Sequence, residues 1–309
     1  MSSQPLASTG ASTAAPAGIP DVKPTRGAGP VRAFFAALWR SKTGFVGFWI
    51  FSLLCLMGLF GQYFVGSQHA NVNEIYQFPS SAHPLGTDFE GKDTLMQIIG
   101  GGQDVIVVGL VAASVSTVIA VVFGSLAAYL GGAFDSAVVQ ATDFVLTIPT
   151  FPLLLVLSAY LQLDSAVLLA ILLGLLGWPT LLRAVRAQVL SLREREYVEA
   201  ARLLNIGTSR IVLREIMPNM ASYLLINFIT AMTGAVYALA GLYVLGLAPM
   251  SGTNWGIMIN QAWTKGAIFN SDSAFYLLSP LIVISILQLS SIWLMRSLEE
   301  IINPRLREA

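Results

Sequence analysis

The residues best suited to chemistry lie in one charged stretch, residues 183–218, of an otherwise apolar chain. The stretch holds seven of the protein's 17 basic residues and four of its 17 acidic residues: Arg183, Arg186, Arg193, Arg195, Arg202, Arg210, Arg214, Glu194, Glu196, Glu199 and Glu215. Guanidinium and carboxylate groups form charge-assisted hydrogen bonds with partners of opposite charge. Because long uncharged runs flank the stretch, we interpret it as a hydrated segment that contacts another protein.

The other reactive groups do not form a recognisable catalytic or metal site. Two histidines and three acids share one polar segment: His69, His83, Asp88, Glu90 and Asp93. We interpret these acids as a solvated face. The glycines at 100–102 are not a phosphate-binding loop, because the Gly-Lys-Ser/Thr that completes such a loop does not follow them. We therefore predict no catalytic residue, cofactor or metal in this chain. The zero net charge gives no general attraction to nucleic acid.

The composition is that of an integral membrane protein. Of the 309 residues, 55% are hydrophobic and 11% charged, whereas a soluble domain has about 25% charged residues. In lipid, every backbone N–H and C=O needs a partner within the protein, and a helix supplies it within one segment. The apolar runs are long and continuous, unlike the alternating strands of a barrel. We therefore predict an all-α fold.

Six apolar runs reach the ~20 residues that span a bilayer, and we predict a transmembrane helix in each. They are residues 44–65, 105–130, 144–161, 166–182, 221–247 and 274–295. Pro149 and Pro152 interrupt the third run. If the N-terminus is cytoplasmic, every basic residue except Lys92 and Lys265 falls on the cytoplasmic side. Both termini and residues 183–218 are then cytoplasmic, and residues 66–104 and 248–273 are external.

The predicted spans contain no charged residue, which argues against a carrier driven by an ion gradient. The polar side chains that could line a pathway are Tyr129, Tyr160, Asn227, Tyr237, Tyr243 and Gln288. Of these we retain Asn227, Tyr237 and Tyr243 as candidates. Interhelical hydrogen bonding is the alternative role for each of them.

The charged stretch predicts two short helices at an angle. Residues 193–204 favour a surface helix, and the small Ala200 and Ala201 beside Glu199 let a partner approach closely. Gly207 then permits a sharp turn, and Thr208 or Ser209 caps the next helix. Pro218 ends that helix. Such a rigid knob is suited to receive force from a moving partner.

The same residues resemble the EAA signature of the membrane-spanning subunits of binding-protein-dependent ABC importers. Glu199-Ala200-Ala201, Gly207, Ile211 and Met217-Pro218 carry the resemblance. It implies a type I importer permease fold whose coupling helices, at 193–217, dock on a cytoplasmic ATPase. The implied coupling residues are Glu199, Ala200, Ala201, Arg202, Asn205, Gly207, Thr208, Ile211 and Pro218.

Further motifs are similar to the second permease of the dipeptide and oligopeptide importers. They are His83-Pro84-Leu85-Gly86-Thr87-Asp88 with Gly91-Lys92-Asp93, Gly131-Gly132 with Asp135, Asp143 with Ile148-Pro149, Gly177-Trp178-Pro179, and Arg183 with Arg186-Ala187-Gln188. Residues 240–246 depart from the subgroup pattern, and the loop after them keeps only Trp255-Gly256. Since some relatives carry oligosaccharides, peptide and oligosaccharide import both remain open.

The resemblance implies four kinds of partner: a second homologous permease subunit, two cytoplasmic ATPases that bind ATP and Mg²⁺, an extracytoplasmic solute-binding protein and membrane lipid. We expect a non-catalytic subunit in the cytoplasmic (inner) membrane of a prokaryote. A stand-alone channel or secondary carrier and a membrane scaffold are the alternatives from other classes.

This interpretation divides the chain into four parts. Residues 1–30, rich in small and polar residues, form a disordered cytoplasmic tail. Residues 31–103 comprise an amphipathic helix over 31–42 (or an extension of the first span), the first span and an external loop. The permease core, residues 104–303, holds five spans, and residues 304–309 are the cytoplasmic C-terminus.

Overall fold

The computed structural model describes residues 41–66, 68–161 and 165–302, without the side chains of residues 300–302. The predicted tail over 1–30, nearly all of the predicted helix over 31–42 and the C-terminal residues 304–309 lie outside the described residues. The described helices are α1 (Lys42–Phe60), α2 (Thr94–Gly100), α3 (Gly102–Leu130), α4 (Gly132–Thr147), α5 (Thr150–Leu161), α6 (Ala166–Arg193), α7 (Glu196–Leu203), α8 (Thr208–Ile211), α9 (Ala221–Val244), α10 (Trp255–Thr264) and α11 (Ala274–Ile302).

Polar side chains begin four of these helices by accepting a hydrogen bond from a backbone N–H of the first turn. Ser41 accepts from Gly44 in α1, Asp93 from Met96 in α2, Ser165 from Val167 in α6, and Asn254 from Ile257 in α10. Gly131 ends α3 with a φ of 68°, a left-handed conformation that only glycine adopts without strain. Local sequence therefore sets these boundaries.

Five helical runs of the described residues are long and apolar enough to cross a membrane. They are Lys42–Tyr63, Thr94–Leu130, Ala166–Arg193, Thr208–Val244 and Ser271–Glu299. The pair α4 and α5 is a sixth only if the two helices are counted as one span, because their axes differ by 78°. The predicted all-α membrane fold is confirmed.

The third predicted span, residues 144–161, is wrong as a single helix. Its first residues belong to α4, which ends at Thr147. Ile148 is extended (φ −85°, ψ 123°), as expected for a residue that precedes a proline. Pro149 therefore separates two helices instead of kinking one.

The helix that holds the fourth predicted span is longer than the span itself. The predicted span ends at residue 182, before the first arginine of the charged stretch, but α6 continues to Arg193 and contains Pro179. Arginine is a good helix former, and Arg183 and Arg186 also pair with acids of α4, as described below. Charge alone does not end a helix.

Two packing clusters show which elements meet at each end of α3. At its first residue, Gly102 lies so close to Gly58 of α1 that a Cβ there would come within 2.8 Å of the Gly58 Cα. Trp255 of α10 is fully buried beside this contact. At the other end, Ala120 and Ala128 pack in a cluster with α6, α7 and the residues that follow α8. The loops that we predict to be external and the charged stretch are therefore at opposite ends of α3.

Candidate functional site

Residues 193–217, which we call the coupling segment, pack firmly on one face. Val198 of α7 and Ile211 of α8 are at most 1% exposed, and Ala201 is 6% exposed. They belong to one buried cluster with Val185 and Val189 of α6. Burying a side chain of this size stabilises a protein by about 1.5–3 kcal/mol relative to leaving it exposed. The segment is therefore held on the end of α6.

The opposite face of the coupling segment is open. Glu199, Ala200 and Arg202 are exposed. Next to them, Leu203 and Leu204 are 83% and 75% exposed, at the tip of the turn. Apolar side chains this exposed gain nothing from their own chain, whereas a partner's groove could bury them. The face thus combines small, charged and apolar groups at one protruding corner.

The turn of the coupling segment uses Asn205 where the sequence pointed to Gly207. Asn205 has a φ of 56°, in the left-handed region that asparagine tolerates better than most residues. Gly207 has an ordinary extended conformation (φ −60°, ψ 146°), and a Cβ there would meet nothing within 4 Å. The prediction that Gly207 makes the turn is wrong. Neither its backbone angles nor its neighbours within the chain require a glycine there.

Two further local predictions fail in this region. Neither Thr208 nor Ser209 caps α8, because Gly207 is the N-cap residue and no side chain accepts from the first turn. Pro218 does not end the helix either. The chain runs from α8 through a wider turn (Val212–Ile216) and a tighter one (Pro218–Met220) directly into α9. A proline lacks the N–H of an ordinary α-helical hydrogen bond, which accounts for the local change of helix type.

Arginines join the coupling segment to the last turn of α3. The Nη1 atom of Arg193 donates to the carbonyl oxygen of Ala128 at 2.6 Å. Arg202 lies over the ring of Tyr129, with its guanidinium carbon 5.0 Å from the ring centre, in the range of a cation–π contact. Neither contact could be predicted from the sequence, since the partners are more than 60 positions apart. The last turn of α3 is thereby tied to the coupling segment.

A cavity of about 450 Å³, the central cavity, opens between α3, α5, α6 and α9. Its lining is mostly small or apolar and includes Ser116, Phe151, Leu154, Gly177, Asn227 and Gly234. None of the described residues that line it is ionisable. It therefore offers hydroxyl and amide groups, but no charge, to a solute.

The three candidate pathway residues are distributed differently. Asn227 lines the central cavity and donates its amide N–H to the carbonyl oxygen of Tyr223 at 2.8 Å, which leaves its own oxygen free. Tyr237 is exposed and does not line the cavity. Tyr243 is buried against Gly256 of α10, where a Cβ at Gly256 would come within 2.6 Å of the tyrosine. Tyr243 therefore packs α9 against α10 and does not line this cavity.

The external segment that carries the His-Pro-Leu-Gly-Thr-Asp motif is a tightly bonded loop. Asp88 is only 2% exposed, and its carboxylate accepts from the backbone N–H groups of Glu90 and Lys92, both at 2.8 Å, and from Nε2 of Gln97 at 2.7 Å. The imidazole Nδ1 of His83 lies 2.8 Å from Oδ2 of Asp93. The interpretation of these acids as a solvated face is wrong for Asp88, which organises the loop.

The two external loops also contact each other. The phenol of Tyr76 donates to the carbonyl oxygen of Lys265 at 3.0 Å. Burial and the nearby Asp88 carboxylate raise the pKa of that phenol, which keeps its donating proton in place. Nε1 of Trp255 donates to the carbonyl oxygen of Ile98 at 2.8 Å. The described parts of residues 66–104 and 248–273, which we predict to be external, thus contact each other and form one surface.

Comparisons with known proteins agree with this architecture. Residues 120–308 match the model of the family described as "Binding-protein-dependent transport system inner membrane component". The oligopeptide transport system permease protein OppC of Mycobacterium tuberculosis (strain ATCC 25618 / H37Rv) is 34% identical over 56% of this chain and 60% of its own. The corresponding OppC of Bacillus subtilis (strain 168) is 30% identical over 72% of this chain and 73% of its own.

A third relative is a putative peptide permease protein of Brucella suis biovar 1, which is 32% identical over 60% of this chain and 61% of its own. The match to the mycobacterial and Brucella proteins covers about three fifths of their length.

Proposed function

Because the chain belongs to the family of binding-protein-dependent transport system inner membrane components, we propose that it is the permease subunit of an ATP-driven ABC importer. The protein is a multi-pass, non-catalytic membrane subunit. The observation that carries the proposal is the coupling segment, which is buried on one face and open on the other. A partner that binds the open face can displace the segment, and the buried face can transmit that displacement to the transmembrane helices.

The partner at the coupling segment is a cytoplasmic ATPase subunit. Leu203 and Leu204 supply an exposed apolar tip, and Glu199 and Arg202 supply charges beside it. Such a corner fits a groove that has an apolar floor and a polar rim, as protein interfaces commonly have. Two ATPase subunits, which bind ATP and Mg²⁺, serve this chain and a second homologous permease. This places the coupling segment and both termini in the cytoplasm.

The central cavity is this chain's part of the solute pathway. It opens between α3, α5, α6 and α9, and the second permease closes it from the other side. When the ATPases close on ATP, the coupling segments move, and the helices tilt to change the side that the cavity faces. Asn227 contributes a polar group to the wall, and Tyr237 and Tyr243 are retained as pathway candidates for the other conformation.

The solute is a peptide, delivered by an extracytoplasmic binding protein. The names of three relatives, which refer to oligopeptide or peptide permeases, support this choice. The uncharged lining of the central cavity suits a chain of neutral amide groups with varied side chains. The joined external loops around Asp88 and Trp255 form the surface on which the binding protein docks.

Reconstitution of the complete complex tests this proposal. The chain is co-expressed with its neighbouring permease, ATPase and binding-protein genes, purified, and inserted in proteoliposomes with ATP on the ATPase side. We expect uptake of labelled oligopeptide only with ATP, Mg²⁺ and binding protein present. Uptake of an oligosaccharide in place of peptide would overturn the substrate class. Equal uptake by the chain alone without ATP would instead support a channel or carrier.

A further inference from the structure

Two ion pairs connect α4 to α6 just before the coupling segment. Arg186 of α6 grips Asp135 of α4 with two parallel hydrogen bonds, Nε to Oδ1 and Nη2 to Oδ2, each 2.6 Å long. Arg183 pairs with Asp143 through a single contact. The Arg186–Asp135 pair is mostly shielded from solvent, whereas both members of the Arg183–Asp143 pair are about half exposed. The less exposed, bidentate Arg186–Asp135 pair is the stronger and more directional of the two links.

One end of this link is fixed to the coupling segment. Val185 and Val189, on either side of Arg186 in α6, are fully buried in the cluster that holds Val198 and Ile211. Arg193, at the end of α6, donates to the last turn of α3. A displacement of the coupling segment must therefore move this part of α6, since close-packed side chains transmit rather than absorb a shift.

The other end of the link leads to the central cavity. α4 ends at Thr147, and the extended Ile148 and Pro149 connect it at a 78° angle to α5. α5 contributes Phe151 and Leu154 to the cavity wall, and the Phe151 ring lies against Gly241 of α9, 3.2 Å from where a Cβ would stand. Only the Ile148–Pro149 connection separates α4 from α5, so we expect a shift of α4 to change the position of Phe151.

We propose that Asp135 and Arg186 are positioning residues for transport: their ion pair makes α4 follow α6, so that movement of the coupling segment displaces Phe151 and Leu154 at the cavity. The inference rests on the proposed function and goes beyond it by naming the contact that joins the coupling segment to the bent helix pair. The two residues touch neither solute nor ATPase in this scheme.

The experiment compares variants of the complete reconstituted complex. It measures solute taken up per ATP hydrolysed, together with co-purification of the ATPases. We expect D135N to lower uptake per ATP about tenfold while ATP hydrolysis and co-purification stay within about twofold of the wild type. The exchange D135R/R186D restores the pair and should recover most of the uptake. D143N, in the exposed pair between the same helices, is the matched control and should change the ratio by less than about twofold.

Three results would overturn the inference. They are D135N with the wild-type uptake per ATP, D143N with as large a loss of uptake per ATP as D135N, and an exchange variant that assembles but recovers no uptake. If D135N fails to assemble, D135E replaces it, since its longer side chain keeps the pair but moves α4. An unchanged ratio in D135E then contradicts the inference, and a lowered ratio supports it. Failure of the wild-type complex to couple ATP to uptake would instead contradict the proposed function.

Discussion

At the scale of single residues, Gly207 has the most informative environment. Its conformation suits any residue, and a Cβ would meet none of the described residues within 4 Å. Neither the backbone angles nor the described neighbours require glycine at this position. A glycine here leaves room for the backbone of another molecule. The resemblance to the importer signature names Gly207 as a coupling residue, and this role stays a prediction; the sharp turn that we predicted there does not account for the glycine.

Substitution of Gly207 by tryptophan should therefore spare the fold and block docking. We expect normal membrane insertion, with loss of ATPase co-purification by at least about 30-fold, the effect of about 2 kcal/mol at an interface hot spot. Pull-down of the ATPase from solubilised membranes measures this. Gly66→Trp, at a similarly open glycine on the external side, is the control. Full ATPase recovery with Gly207→Trp would contradict the assignment.

Asp88 carries the second prediction at this scale. Replacement by asparagine keeps the size but puts an amide N–H donor where a carboxylate oxygen accepted, opposite donors that already point at that group. We expect a cost of about 1–3 kcal/mol and faster cleavage of the external loop by protease in right-side-out vesicles. Asp272→Asn, on an exposed 3₁₀ turn, should leave the cleavage rate unchanged. Equal rates for both variants would show that the Asp88 network does not hold the loop.

Residue types alone could not distinguish buried from exposed acids. Asp88, Glu90 and Asp93 are close in sequence and equally acidic, yet only Asp88 lies inside the loop. That difference arises from Gln97 and from backbone donors that meet only after the loop closes. The burial of Tyr243 could not be predicted from residue type either, because it depends on contact with Gly256, which belongs to a separate helix.

At the scale of elements, the coupling segment depends on its buried face for stability. Ile211 is 1% exposed and Leu213, two residues later, is 65% exposed. Ile211→Ala should destabilise the protein by about 2–4 kcal/mol, visible as a lower melting temperature in detergent. Leu213→Ala is the matched control and should change the melting temperature little. Similar shifts for the two variants would contradict the described packing.

The central cavity provides a second test of an element. Gly234 of α9 lines the cavity, and a Cβ there would meet nothing within 4 Å. Gly234→Phe should therefore fit without strain and fill part of the roughly 450 Å³ space. We expect solute uptake to fall at least about tenfold with little change in basal ATP hydrolysis. Val118→Phe, at an exposed position of α3, is the control. Normal uptake through Gly234→Phe would place the pathway elsewhere.

Hydropathy predicted which elements exist better than where they end. The apolar runs gave the spans, and prolines 149 and 152 correctly marked a weak point. α6 continues past the end of its apolar run because a helix ends where its backbone hydrogen bonds end, not where its apolar residues end. Arg183 and Arg186 lie within α6 and pair with Asp143 and Asp135, and no pattern within α6 shows those partners.

At the scale of the whole molecule, the structure separates two functional ends. The external loops meet at the start of α3, where Trp255 is buried, and the coupling segment grips the end of α3 through Arg193 and Arg202. The central cavity lies between helices that connect both ends. This arrangement is what an alternating-access permease needs, because a push at one end can reach a gate near the other.

The central claim is that the coupling segment receives force from a cytoplasmic ATPase, and site-specific photo-crosslinking in intact cells tests it most directly. A photoreactive amino acid is placed at Leu203, the exposed tip, and in a second strain at Phe269, exposed on the external surface. We predict that the probe at 203 crosslinks to the ATPase subunit and that the probe at 269 does not. Absence of an ATPase adduct at 203, or an adduct there with an extracytoplasmic protein, would contradict the account.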